Sequence, residues 1–428
     1  MVEKSLIENL WRLWKAYVDF SVIGNNELKR AMFHVFLGTV LTEKKYSYIE
    51  GAKRKSLRIH TFIIQDSGTG KSQIMKALHE IIAYLGIQSR ITVKDNEASL
   101  TGTVYKDIVD NKIHVRKGML YELKLLCWDE GSVLLKHSGF MDVLTDYFQN
   151  VMDEPGKISK GMKLGKVEYF CNCTLIAGSY MFDAFRETLL TKGFLQRMYI
   201  SFKEFNEKEK RDIRIGVNLL KSKKNFAQYD ELKAAIAKIV KKIPKLKGEA
   251  ITFNNNDLMK FQYELESIYQ NYIVGAFIGE KQKILETFYS RLHLLIDKIA
   301  AQHAIIEGRK EVVYEDLVYG RKECEMHIQS LLKIFDYLSS GKIITTGDER
   351  QLVIINTLKQ NQGQMIKSAL LDTLKERKNI GRWDLGFNRT LSLINDMIAA
   401  RKIHVEKTGK NVHLLILPGV LKEKYSKK

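Results

Sequence analysis

One stretch constrains this 428-residue chain more than any other. Thr61-Phe-Ile-Ile64 is a short β-branched and aromatic run, Gln65-Asp-Ser-Gly-Thr-Gly-Lys-Ser72 follows it, and Gln73 to Ile82 carries an apolar pattern of helical period. Strand, glycine-bearing loop and helix in that order make a phosphate cradle. Gly68 and Gly70 let the backbone amides turn inward, and the helix N-terminus adds its dipole. Lys71 is expected to reach the β- and γ-phosphates of ATP, and Ser72 to hold Mg2+. Gln65 stands where such a loop ordinarily begins with glycine, but the Gly-Lys-Ser end is intact.

Three further segments belong with this loop. Leu125-Leu-Cys-Trp-Asp129-Glu130 is an apolar strand ending in two carboxylates, at a separation suited to a Walker B element. Asp129 is expected to bind Mg2+ through water and Glu130 to polarise the attacking water. Cys173-Thr-Leu-Ile-Ala-Gly-Ser179 reads as another strand and sets Ser179 to sense the γ-phosphate or the water. Gly193-Phe-Leu-Gln-Arg197 places an arginine after an apolar pair, from where it would reach a neighbouring subunit's phosphate in a ring.

The order of these elements resembles the AAA+ core of the minichromosome maintenance (MCM) replicative helicases. Val22-Ile-Gly24-Asn-Asn-Glu-Leu-Lys29-Arg-Ala is similar to the segment that leads into that core. Gln65 to Gln73 resembles its phosphate loop, which gives Asp66, Ser67, Thr69 and Gln73 a place in the nucleotide site beside Gly68, Gly70, Lys71 and Ser72. Ser99 to Asp107, followed by Val109 to Gly118, resembles the segment leading into the family's helix-2 insert, and Val151 to Lys160 the approach to its pre-sensor hairpin. Arg197 then corresponds to the arginine finger, and Arg291, in Ser290 to Ala300, to the sensor-2 arginine of the lid helix. The likeness spans roughly residues 20 to 330. Ser179 stands in place of an asparagine, and Met198-Tyr199 in place of Phe-Asp. With only about twenty residues ahead of the core, the resemblance implies a compact helicase of a virus, plasmid or mobile element. A homo-hexameric ring is implied by the family.

Charge points the same way. Lys and Arg number 69 against 50 Asp and Glu, a net +19 that attracts polyanions, nucleic acid first. Lys157, Lys160, Lys163 and Lys166 alternate with glycines in a hairpin-like stretch, and by resemblance they grip DNA in the ring's pore. Lys112 and Arg116 lie in a second candidate hairpin from Asn111 to Lys117. From Thr346 on, sixteen Lys and Arg face eight Asp and Glu. The pattern there predicts a winged helix: helices at 349–359, 367–377 and 388–401, then strands at 403–407 and 412–417. Arg382, Arg389, Arg401, Lys407 and Lys410 are its expected phosphate contacts.

The expected fold is therefore an α/β P-loop AAA+ core with a helical lid and a C-terminal winged helix. Its domains are an N-terminal helix (1–20), the core (21–205), the lid (206–345) and the winged helix (346–428). Four cysteines lack the spacing of a zinc site or disulfide framework, which suggests a reducing cytoplasm; Cys171 and Cys173 read as one face of a strand in the core. No apolar run is long enough to span a bilayer. The expected activity is ATP-dependent separation or translocation of single- and double-stranded DNA in replication, with other replication proteins as possible partners. The alternative is a DNA-binding initiator or regulator that ATP switches with little unwinding.

Overall fold

The computed structural model describes residues 5–93, 95–107, 111–131, 139–152, 156–180, 184–185, 193–222, 226–244, 250–277, 280–339, 344–379, 387–399, 403–409 and 412–417. The chain divides into two compact units, residues 1–343 and 344–428.

The first unit begins with α1 (Leu6–Asp19) and α2 (Asn26–Glu43) and a small antiparallel hairpin, β1 (Tyr48–Glu50) with β2 (Lys53–Lys55). Then come β3 (Thr61–Gln65), α3 (Lys71–Tyr84), β4 (Ser89–Thr92) and the short α4 (Glu97–Thr101). Two hairpins, β5 (Gly102–Lys106) with β6 (Ile113–Lys117) and β8 (Lys157–Met162) with β9 (Gly165–Phe170), flank β7 (Leu125–Trp128) and α5 (Gly139–Met152). β10 (Thr174–Ser179), β11 (Ala184–Phe185) and β12 (Tyr199–Lys203) complete the α/β part.

A parallel sheet in the order β12-β3-β10-β7-β4 is the platform of this unit. Every residue of β3, β7 and β10 is buried, because helices cover both faces of a parallel sheet and the strands must be apolar throughout. β12 is an edge strand protected from a distance. Ile200 N–H donates to His327 Nδ1 (2.8 Å) and Phe202 N–H to Ser330 Oγ (2.9 Å), so side chains of a later helix satisfy the open backbone.

α1 packs into the core of this unit. Ile7, Leu10, Trp14, Tyr17 and Val18 form one fully buried face, and each large side chain so buried stabilises the fold by roughly 1.5–3 kcal/mol. Trp14 Nε1 donates to Lys29 O (3.0 Å) and the Tyr17 hydroxyl to Ala77 O (2.9 Å), tying α1 to α2 and to α3 behind the phosphate loop.

The helical region after β12 is more broken than its period suggests. It comprises α6 (Glu207–Ser222), α7 (Phe226–Lys242), α8 (Asn255–Ile268) with a π turn after it (Tyr269–Ile273), α9 (Glu280–Ile306), α10 (Tyr314–Glu323) and α11 (Glu325–Ser339). Two parallel two-residue strands, β13 (Thr252–Phe253) and β14 (Glu311–Val312), interrupt it. α9 and α10 share the core of α1 to α3 through Ile296, Ile299, Ala300 and Leu317. Cys171 and Cys173 lie between β9 and β10, not on a strand, and pack in the second core cluster. All four cysteines are buried and unlinked.

The second unit has β15 (Ile344–Thr345), α12 (Thr346–Gln360), β16 (Gln364–Ile366), α13 (Lys367–Asn379), α14 (Phe387–Ala399), β17 (His404–Gly409) and β18 (Val412–Ile416). Its sheet runs β16-β18-β17, antiparallel, over a core that includes Ile354, Leu358, Leu370, Ile394 and Leu415. β16 is an addition to the sequence reading: three residues are too few to show a period. Among the described residues no helix is long and apolar enough to cross a membrane.

Candidate nucleotide site and the surfaces around it

β3 delivers the chain to the loop and α3 carries it away. Gly68 (φ +76°) and Gly70 (φ +83°) turn the backbone through the left-handed region that side chains disfavour. A Cβ on Gly68 would meet nothing within 4 Å, so the space above the loop is open. A Cβ on Gly70 would lie 2.6 Å from Val22 Cγ1, so the segment before α2 presses directly on the loop.

That segment is itself locked. Lys29, fully buried, donates to Val22 O (2.7 Å) and pairs with Asp19. Asn25, left-handed at φ +50°, donates from Nδ2 to Gln65 Oε1 (2.9 Å) and to Thr69 O (2.9 Å). The residue that replaces the usual glycine is thus a buried hydrogen-bonding partner of Asn25, and Thr69 Oγ1 donates to Asp66 O (2.9 Å) to close the turn. Asp66 pairs with Lys210 of α6 (2.8 Å), which ties the helical region to the loop.

Lys71 is buried, and its Nζ donates to Gln65 O (3.1 Å) and Asp66 O (3.4 Å). Burial lowers its pKa, while Asp129, Glu130 and Asp66 pull it back up. The ammonium also sits 3.8 Å from the centre of the Tyr180 ring. Motif reasoning missed Tyr180 as a neighbour of the loop, since nothing in its spacing marks it.

Ser72 and Asp129 meet: Ser72 Oγ donates to Asp129 Oδ1 over 2.7 Å. β3 and β7 are not neighbours, because β10 lies between them, so this bond spans the C-terminal edge of the sheet. Ser179 ends β10 between the two, opposite Ile64, buried and donating to Tyr180 O (2.9 Å). Gly178 O accepts from Gly131 N–H, which holds the turn bearing Asp129 and Glu130 against β10. Ser72 hydroxyl and Asp129 carboxylate are hard oxygen donors of the kind Mg2+ prefers, and the open, amide-lined loop beside them fits a polyphosphate.

The MCM P-loop domain family matches residues 5–141, a span holding the loop, the acidic pair and the first hairpin. Residues 5–141 are thus similar to the MCM P-loop domain. The match implies nucleotide binding and the ATPase or helicase kind of enzyme that serves DNA replication. No curated protein matches the chain.

Arg197 and Arg291 are brought together away from the loop. A cleft of about 100 Å³ is lined by both, with Lys55, Lys298, Leu294 and Leu295 among its other walls; no residue of the phosphate loop or acidic pair lines it. Arg197 ends a 3-10 turn and donates to Gly193 O (2.9 Å), and Gln196 Nε2 donates to Thr287 Oγ1 (2.8 Å) of α9. Lys298 was findable, since it stands two helical turns from Arg291 on one face of α9.

The two hairpins lie side by side. Val104 N–H donates to Met162 Sδ (3.3 Å), and the Tyr169 hydroxyl contacts Thr101 O (3.1 Å). Lys160 does not project as a phosphate-gripping cation is expected to: it pairs with Glu97 (2.9 Å) and donates to Gly102 O (3.2 Å), so it staples one hairpin to the other. Lys157 and Lys166 flank Glu168 and hold its pKa down at about 2. Lys163 is exposed at the turn of β8 and β9. Arg116 and Lys112 are exposed on the other hairpin, where Tyr105 stacks on His114 at 5.7 Å. In the second unit Lys407 is exposed on β17 and Arg389 lies in α14, while Arg382, Arg401 and Lys410 lie outside the described residues.

Proposed function

We propose that this protein is an ATP-driven DNA translocase or helicase that works as a homo-hexameric ring in replication. The observation that carries the reading is the Ser72–Asp129 hydrogen bond, which joins the phosphate loop to the acidic strand across an intervening strand.

In this reading the amides of residues 68 to 72 and Lys71 bind the β- and γ-phosphates of ATP, and Ser72 and Asp129 hold Mg2+. Bound Mg2+ supplies charge neutralisation on the phosphates. Glu130 orients and polarises the attacking water, with Ser179 beside it. Arg197 and Arg291 stabilise the γ-phosphate of a neighbouring subunit, which agrees with their sharing a cleft that excludes the chain's own loop. Lys163, Lys157, Lys166, Lys112 and Arg116 contact the DNA backbone from the paired hairpins.

The helices after residue 206 act as the lid. The second unit, ordered helix, strand, helix, helix, strand, strand, serves as a winged helix whose Arg382, Arg389, Lys407 and Lys410 meet phosphates.

Purified protein is to be assayed for DNA-stimulated ATP hydrolysis and for displacement of a labelled strand, with Lys71→Ala and Glu130→Gln as controls. Both activities, lost in both variants, are expected. Turnover without displacement would replace the motor with an ATP-switched initiator, and absence of Mg-ATP binding would remove both readings.

A further inference from the structure

One carboxylate lies in the phosphate loop itself, where a polyphosphate would have to settle. Residues 65–72 carry a single acidic side chain, Asp66, and a single cation, Lys71. Asp129 and Glu130 have metal and water to serve in the reading above, but Asp66 has neither, and a bare charge there would repel the phosphates that the loop amides attract. The Asp66 backbone is already engaged, since its carbonyl accepts from Thr69 Oγ1 (2.9 Å) and from Lys71 Nζ (3.4 Å).

Lys210 answers that charge. Its Nζ lies 2.8 Å from Asp66 Oδ2, and this bond raises the lysine's pKa, so the ammonium stays charged. The pairing is built from outside the loop. Asn206 and Glu209 cap the start of α6 reciprocally, with Asn206 N–H donating to Glu209 Oε2 (3.0 Å) and Glu209 N–H to Asn206 Oδ1 (2.9 Å). Lys203, at the end of β12, bridges Glu209 (3.3 Å) and Glu27 of α2 (2.8 Å). Further along α6, the buried Ile213 would lie 3.4 Å from a Cβ on Gly24, and a Cβ on Gly216 would stand 2.8 Å from Ile23. α6 is thus seated on the Val22–Asn25 segment that braces the loop, and Lys210 is delivered to Asp66. With side chains 24% and 28% exposed, the pair adds little to stability, so its larger consequence is the charge of the loop.

We propose that Lys210 is a positioning residue for nucleotide: by neutralising Asp66 it keeps the loop net positive and open to a triphosphate, without touching the phosphates itself. The assignment rests on the nucleotide-site reading above and adds to it a residue from the helical region.

Titration calorimetry with Mg-ATPγS tests the sign of each charge change. Lys210→Ala leaves Asp66 bare and is expected to weaken binding about tenfold, the effect of one uncompensated charge close to the phosphates. That loss should shrink between about 0.05 and about 0.5 M salt. Asp66→Asn makes the loop one charge more positive and is expected to bind more tightly than wild type. The double variant, neutral again, is expected to return to about wild-type affinity, and Lys210→Arg, which keeps the charge, to do the same. Should Lys210→Ala fail to fold in a thermal melt, Asp66→Asn carries the test, since only charge compensation predicts tighter binding.

A mere tether between α6 and the loop would behave otherwise: Asp66→Asn would weaken binding as Lys210→Ala does, and that result overturns the assignment. So does a double variant as weak as Lys210→Ala, because Lys210 then meets phosphate directly, and so does wild-type affinity in Lys210→Ala. Wild-type protein that gives no more heat than Lys71→Ala removes the nucleotide-site reading itself, and the assignment falls with it.

Discussion

Tyr180 covers Lys71, the cation of the phosphate loop. Its ring centre is 3.8 Å from Lys71 Nζ, so binding of a triphosphate has to exchange this contact for phosphate oxygens. A cation–π contact is worth about 0.5–1 kcal/mol at an exposed site and about 2 kcal/mol when desolvated. The ammonium here is buried but the ring is 44% exposed, which puts the contact near 1 kcal/mol. Tyr180→Ala removes that competitor and leaves the Lys71 bonds to Gln65 O and Asp66 O in place. Nucleotide affinity is therefore expected to rise about fivefold, by the conversion of about 1.4 kcal/mol per factor of ten. Tyr180→Phe keeps the ring face and is expected to match wild type. Titration calorimetry with Mg-ATPγS at fixed ionic strength reads the difference, with Lys71→Ala as the non-binding control. Weaker or unchanged binding by Tyr180→Ala would mean that the ring helps to hold nucleotide rather than competing with it, and equal behaviour of Phe and Ala would rule out the ring face as the cause.

Gly70→Ala combines a φ of +83° with a Cβ 2.6 Å from Val22, so thermal melts with and without Mg-ATP should show a lower melting temperature and a lost nucleotide shift, partly restored by Val22→Ala; an unaltered shift refutes the close contact. His327 is buried with its pKa lowered to about 4, so the unfolded chain binds the extra proton first as pH falls from 6.5 toward 4. Stability should therefore drop over that window, by up to about 3 kcal/mol from this group, and the drop should shrink in His327→Gln when followed by urea unfolding. Lys163→Ala is expected to weaken single-stranded DNA binding and reduce the slope of log affinity against log salt by about 0.7, whereas Lys160→Ala should leave the slope and lower the melting temperature; equal slopes for the two variants would sink the distinction.

The phosphate loop, the acidic strand and β10 were legible because each is a contiguous run whose chemistry is local. Period, glycine placement and terminal carboxylates report on one element at a time, and here one element at a time suffices. The residues that escaped notice depend on partners far along the chain. β4 is Ser89-Arg-Ile-Thr, a polar edge strand without alternation, and β12 has its open backbone answered by His327 and Ser330 in a helix more than a hundred residues later. Lys55 joins Lys298 only through the fold, and a run of basic residues in a short hairpin gives no hint of it. Lys160 shows the reverse failure. Its spacing in a glycine-rich hairpin suits an outward cation, but Glu97 and the Gly102 carbonyl lie within reach, and an ion pair of low exposure takes precedence over solvation.

Gln65 joins the two cases. Taken alone it breaks the loop motif, since a side chain occupies a position that normally has none. Asn25, forty residues earlier and in a left-handed conformation few residues but Asn and Gly adopt, supplies the compensating hydrogen bond and grips Thr69 O with the same nitrogen. The glycine's freedom has been exchanged for a tether between the loop and the segment before α2. It follows that the loop and the Val22–Asn25 turn form one mechanical piece, so any motion of α1 and α2 on nucleotide binding must carry the loop's first residue with it.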